Sequence, residues 1–200
     1  GDYIDQHGMA KFQGGRARGQ YSHADGLFYG GYQPQWSRRV FEKILAQQLA
    51  GVTRVAFLDI HTGLGPAGHG ELIFNGGTDS PDYQLTRAVF GDDVTASQSG
   101  TAVATYSSGL ILNAFTPYKP ACSVASATLE YGTAEFGEVV NALRAECRLR
   151  CQRRHPGEEA LKRVKQRLLA AFFVDRENWR QAVLARFEQV MGCAVEGLRR

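Results

Sequence analysis

A short apolar run bounded by turn-forming sequence constrains the fold of this chain more than any other segment. The run is Val55-Ala56-Phe57-Leu58, within residues 52–60, and a stretch rich in glycine and proline follows at 63–70. An apolar run of this length between turn signals is typical of a central strand that is buried on both faces. It therefore predicts a sheet that is covered on both sides.

Helical and strand patterns alternate along the rest of the chain. Ser37 is expected to cap a helix that Gly51 ends, and residues 2–13 have helical composition. Short strands are predicted at 71–74 and 123–131, whereas 109–115 is either helix or strand. Apolar periodicity predicts further helices at 81–90, 135–152, 157–173 and 178–196. The alternation indicates an α/β fold, in which functional sites gather at the carboxyl ends of strands.

Composition excludes several classes of protein. The 200 residues suit one domain, and the net charge of +3 comes from basic residues interleaved with acidic ones, which is typical of a solvated helix face. We therefore expect no nucleic-acid partner. No apolar run reaches the roughly 20 residues of a membrane span, and no signal peptide opens the chain. With four cysteines and no C-x-x-C spacing, reduced thiols and a cytoplasmic location are expected.

Two polar residues lie where the predicted buried strands end. His61 directly follows the first strand, and Glu130 ends the second. A carboxylate beside a buried strand is usually ion-paired, bound to a metal or catalytic, because burying it alone is costly. A zinc hydrolase needs ligands that leave a position for water, plus a carboxylate that takes the proton of that water. His61 and Glu130 could supply one of each, although a lone histidine is more often a hydrogen-bonded structural residue.

Several segments resemble the zinc carboxypeptidase superfamily, and within it a bacterial branch of largely uncharacterised metallopeptidase-like proteins. The resemblance extends over nearly the whole chain, with the motifs in the same order. They are 19–21 (Gly-Gln-Tyr), 26–31 (Gly-Leu-Phe-Tyr-Gly-Gly), 59–66 (Asp-Ile-His-Thr-Gly-Leu-Gly-Pro) and 130–133 (Glu-Tyr-Gly-Thr). The resemblance implies a mixed, mainly parallel sheet flanked by helices. It also implies that His61 is the last of three zinc ligands and that Glu130 is the general base.

Other residues near the expected cleft each have more than one possible role. Asp59 shares a strand face with His61, so it could orient a zinc ligand or take part in an ordinary cap or salt bridge. The family uses a tyrosine from a mobile loop to contact the substrate, and Tyr106 and Tyr118 are both candidates by position. Arg18 and Tyr21 lie in a long glycine-rich loop, where they either contact the substrate or hold the loop together.

The turn that follows the predicted zinc ligand carries two more ionisable residues. These are His69 and Glu71. Because both lie on the turn rather than at the end of a strand, we expect both to be exposed to solvent.

The chain departs from the family pattern in its zinc motif. The family places an H-x-x-E motif before the later histidine, but His7 and His23 are not followed by glutamate at this spacing. The one match, His155 with Glu158, comes after Glu130 and is expected to be fortuitous. Residues 1–200 are therefore expected to be the C-terminal portion of one zinc-carboxypeptidase-like domain, N-terminally truncated. We expect the missing N-terminal portion to be a partner, and Zn²⁺ binding by this chain alone to be weak or absent.

Three functions are compatible with these residues. The leading hypothesis is zinc-dependent cleavage of a C-terminal peptide bond or a related amide, with Glu130 activating water. Aspartoacylase-like relatives share the zinc arrangement but deacylate small N-acyl amino acids. A non-catalytic binding or scaffold module is the third hypothesis, and the two absent ligands favour it for the chain as it stands.

Overall fold

The protein forms a four-stranded sheet with helices against both faces. The computed structural model describes residues 19–151 and 157–200, so the predicted helix at 2–13, Arg18 and His155 lie outside the described residues. The strands are β1 (Arg54–Ala67), β2 (Gly70–Phe74), β3 (Thr95–Ala96) and β4 (Ser123–Gly132). The α-helices are α1 (Trp36–Gln48), α2 (Pro81–Phe90), α3 (Phe136–Arg150), α4 (Glu158–Phe172) and α5 (Glu177–Arg199). The α/β class is confirmed.

The sheet is mixed, with strand order β1-β4-β2-β3. β1 pairs in parallel with β4, from Arg54 opposite Ser123 to Thr62 opposite Tyr131. β4 pairs antiparallel with β2, and β2 pairs in parallel with the short β3. The strand predicted at 123–131 is thus an inner one, with β1 on one side and β2 on the other. The prediction that the apolar run at 55–58 forms a central strand buried on both faces is wrong, because β1 lies at an edge of the described sheet and these four residues are only partly buried.

Side chains of β4 alternate between two hydrophobic layers. Ala125, Ala127, Leu129 and Tyr131 are all buried against a core that also contains residues of α2 and α5, such as Phe90 and Val190. On the opposite face, Val124 packs in a second cluster with residues of α1 and of the 3-10 helix Ile111–Tyr118. Strand alternation places Thr128 and Glu130 on this second face, toward α3 and α4.

β1 is longer than predicted and continues past His61. The glycine and proline residues after His61 were expected to form a turn, but they belong to the strand as an irregularity between Thr62 and Ala67. Gly63 and Gly65 have φ angles of 140° and 92°, which side-chain-bearing residues rarely adopt. These glycines therefore form a bulge, and His61 lies inside the strand, not after its end.

Most predicted helices agree with the structure, with one error at a helix start. Ser80 caps α2 by accepting a hydrogen bond from the Asp82 N–H, with Pro81 at the first helical position. Ser37 does not cap α1, which begins at Trp36 without a side-chain cap. The ambiguous segment at 109–115 is mostly 3-10 helix. Across the described ranges, no helix has the length and apolarity needed to cross a membrane.

Two glycines of α5 are expected to respond oppositely to alanine. A Cβ on Gly197 would lie 2.6 Å from the Val89 Cα and carbonyl oxygen, whereas a Cβ on Gly192 would meet nothing within 4 Å. We expect Gly197→Ala to lower the free energy of unfolding by about 1–3 kcal/mol through overpacking. Gly192→Ala should raise it by about 0.5–1 kcal/mol, because alanine loses less backbone entropy on folding. Urea denaturation measures both, and equal effects would contradict the close approach of α5 to α2.

Candidate functional site

His61 and Glu130 face each other across the two parallel strands. They are register partners in the β1–β4 pairing, and His61 Nδ1 lies 3.6 Å from Glu130 Oε2. Glu130 is buried, with 5% of its surface exposed, whereas about half of the His61 side chain is exposed. The structure therefore brings together the two residues to which the sequence assigned chemistry, and leaves the imidazole open to a ligand.

Asp59 holds the other nitrogen of the same imidazole. It lies two residues before His61 on the same face of β1, and its Oδ2 is 3.0 Å from His61 Nε2. Hydrogen bonds to Asp59 and then to Glu130 raise the pKa of His61 from 6.5 to about 10, against an opposing effect of desolvation. Asp59 thus fixes the ring plane and directs Nδ1 toward Glu130.

The Glu130 carboxylate is fixed by the backbone of the bulge in β1. Its Oε1 accepts a hydrogen bond of 2.9 Å from the Leu64 N–H. A side chain on Gly63 would come within 3.3 Å of the Phe172 ring, so glycine leaves room for α4 beside the carboxylate. One carboxylate oxygen is therefore bonded to backbone, and the other is directed at His61.

A cavity of about 350 Å³ opens beside this pair. Its apolar wall comes from several elements, and includes Phe28, Leu64, Ile73, Ala104, Leu110, Val139, Leu143 and Phe172. Its polar lining includes Asn75, Ser97, Thr105, Ser107 and Thr128. Sequence reasoning missed Asn75, which directly follows β2, and Ser107, which lies in the loop between β3 and the 3-10 helix, because no motif marks either position. The volume suits one amino-acid side chain and part of its backbone.

None of the three tyrosines predicted to contact the substrate, Tyr21, Tyr106 and Tyr118, is among the residues that line the cavity. Tyr21 is 72% exposed, and its ring lies against Gly30. Tyr118 borders a separate groove between α1 and the 3-10 helix. Tyr106 is 38% exposed and lies between Thr105 and Ser107, both of which line the cavity. Of these tyrosines, only Tyr106 belongs to a segment that forms the cavity.

Both His69 and Glu71 were expected to be exposed to solvent. The structure agrees for His69 but not for Glu71. Glu71 is buried and is the register partner of Glu130 on β2. Its carboxylate accepts a 2.6 Å hydrogen bond from the Thr95 hydroxyl and 3.3 Å contacts from the Val103 N–H. These donors satisfy the charge, and so Glu71 fastens the loop after β3 to the sheet.

The donor atoms fit part of a zinc site. The His61 nitrogen and the Glu130 carboxylate are the correct types, with a separation that suits a ligand and a nearby base. However, residues 19–151 and 157–200 contain no group of three or more His, Cys, Asp or Glu side chains placed to hold a metal. A three-ligand site would need side chains from outside these ranges.

Fold and site together define an α/β domain in which a histidine and a buried glutamate meet across two parallel strands. The chain matches the model of a family described as protein of unknown function (DUF2817) over residues 1–186, and it belongs to that family. No curated protein and no solved structure gave a significant match.

The pairing of His61 with two carboxylates predicts an unusual titration in metal-free protein. Because the folded pKa of about 10 lies above the ordinary value of 6.5, the pairing stabilises the fold fully below about pH 6.5. This contribution is lost as pH rises through about 10. NMR titration of the imidazole after chelation should show the raised pKa, and Asp59→Asn should lower it. Asp92→Asn, at a surface ion pair with Arg87, is the matched control and should not change it.

Proposed function

We propose that this protein is a zinc-dependent hydrolase that cleaves a C-terminal peptide bond or a related amide bond. The observation that carries the proposal is the contact of 3.6 Å between His61 Nδ1 and the buried Glu130 carboxylate, at the edge of a cavity. The resemblance of the segments around both residues to zinc carboxypeptidases supports the same reaction. Supporting residues on β1 hold both side chains, so the pair is preorganised.

Each residue has a role that its contacts suit. Glu130 is the general base: its Oε1 is held by the Leu64 N–H, and Oε2 takes a proton from the attacking water and passes it to the leaving amine. His61 would be one of the residues that hold zinc, and Asp59 orients its ring through the contact at Nε2. A bound zinc ion would supply Lewis-acid polarisation of the substrate carbonyl and a more acidic water.

The cavity provides the place for the substrate. Its apolar wall, which includes Phe28 and Phe172, excludes water from one side of the His61–Glu130 pair. We propose that the remaining zinc ligands come from residues outside the described ranges. We also propose a cytoplasmic location, because Cys122, Cys147, Cys151 and Cys193 are all free thiols.

A non-catalytic binding module is the second candidate. It is favoured by one observation, which is that no group of three or more His, Cys, Asp or Glu side chains among the described residues is placed to hold a metal. A buried carboxylate that contacts an imidazole weighs against it, since a module that only binds has little need of a fixed base.

The test is an assay of the purified protein after zinc loading, with the bound metal quantified first. Release of C-terminal amino acids from N-acyl dipeptides would support the carboxypeptidase-type reaction. Hydrolysis of N-acyl amino acids instead would identify the deacylase alternative. A protein that contains zinc but hydrolyses neither substrate class would reject the hydrolase and favour the binding module.

A further inference from the structure

Ser107 has an unsatisfied hydroxyl at the wall of the cavity. The residue is 2% exposed and lines the cavity beside His61 and Glu130. Its Oγ is buried and has no hydrogen-bond partner in the part of the chain that the structure describes. Buried hydroxyls in folded proteins are nearly always hydrogen-bonded, so an unpartnered one on a residue that lines a cavity is a candidate for a bond to a ligand.

Two hydrogen bonds hold the backbone of Ser107, and so they fix the point from which its side chain extends. The Asn75 side chain donates to the Ser107 carbonyl at 2.7 Å and accepts from the Ser107 N–H at 3.0 Å. Asn75 lies directly after β2, and Glu71 on that strand anchors the same loop through the Val103 N–H. Glu71 on β2 and Asn75 directly after it therefore both hold the loop that contains Ser107.

The cavity offers nothing that would neutralise a charged substrate side chain. Among the described residues that line it, His61 and Glu130 are the ionisable ones, and they already contact each other. The rest of the lining is apolar or carries neutral hydroxyl and amide groups. An acidic or basic side chain bound there would lose its hydration without gaining a partner.

We infer that the cavity receives an uncharged polar side chain of the substrate, such as a carboxamide, and that the Ser107 hydroxyl hydrogen-bonds to it. The inference rests on the proposed function, because it takes the cavity beside Glu130 as the place where the substrate binds. It makes Ser107 a specificity residue and assigns no proton transfer to it.

Binding of four N-acetyl amino acids tests this inference without turnover. N-acetyl-L-glutamine, -glutamate, -lysine and -leucine share one backbone, so differences in Kd report on the side chain. We expect N-acetyl-glutamine to bind about tenfold more tightly than each of the others, which corresponds to one hydrogen bond between neutral groups. Ser107→Ala should reduce this preference to about twofold or less. Ser99→Ala is the matched control, because Ser99 is exposed and bonds within its own turn, and it should keep the preference.

Each other outcome overturns the inference. Equal or tighter binding of the glutamate, lysine or leucine compound would show that the cavity does not select a neutral polar group. Unchanged selectivity in Ser107→Ala, with an unaltered denaturation midpoint, would remove Ser107 from recognition. Absence of binding by all four compounds at millimolar concentration would also reject it. Since hydrolysis is assayed separately, the proposed function can stand when this inference fails.

Discussion

Glu130→Gln is expected to lower kcat/KM for amide hydrolysis by about 10²–10⁴-fold, the contribution typical of a general base. Glutamine has nearly the same shape, and its amide oxygen can still accept the hydrogen bond from the Leu64 N–H. It cannot, however, take a proton from water. The loss should therefore appear without unfolding, and zinc content should stay close to that of the unaltered protein, because Glu130 is assigned as base and His61 as ligand.

Glu71→Gln provides a control in the same sheet. Glu71 is the register partner of Glu130 on β2 and is also buried, but it bonds to Thr95 and Val103 and does not line the cavity. Its replacement should leave the chemical step largely intact. If the two variants lost activity equally, or if Glu130→Gln kept full activity, Glu130 would not be the base.

Among single replacements of glycine by alanine in this sheet, Gly132→Ala is expected to be the most destabilising. A Cβ at this position would overlap the carbonyl oxygens of Gly65 and Pro66, which belong to the bulge of β1. The Gly132 carbonyl also accepts hydrogen bonds from the Gly68 N–H and the Trp179 indole. These atoms are backbone and cannot move aside, so we expect a loss of about 3 kcal/mol or more in the free energy of unfolding, above the usual overpacking range.

The matching control is Gly137→Ala. A Cβ on Gly137, in the first turn of α3, would meet nothing within 4 Å, so alanine should be neutral or slightly stabilising there. Guanidinium denaturation of both variants measures the difference. A Gly132→Ala variant as stable as Gly137→Ala would mean that the bulge can shift away from β4, which would also displace Leu64 from Glu130.

The sequence could predict the two strands that carry the site, because both have apolar runs that end in a polar residue. It could not predict that β1 continues through Gly63 and Gly65, since turn-forming residues also build bulges when a neighbouring strand continues. Glu71 was assigned to solvent because its donors, Thr95 and Val103, are more than twenty residues away. Burial of such a carboxylate depends on tertiary partners that no local pattern shows.

Ser107 and Asn75 were missed for a related reason. The loop that contains Ser107 has no periodicity, and its place at the cavity comes from two hydrogen bonds to Asn75. The zinc assignment, by contrast, rests on the resemblance. It remains a prediction, since the described residues contain no group of three or more side chains placed to hold a metal.

The register of β1 against β4 would make the proposed hydrolysis a measure of correct folding. His61 and Glu130 are opposite each other through strand pairing alone, and neighbouring side chains on a strand alternate between faces. A slip of one residue would send the two to opposite sides of the sheet. In refolding experiments, the fraction of the proposed activity that is regained would therefore report the fraction of molecules with native strand alignment, which circular dichroism would not distinguish.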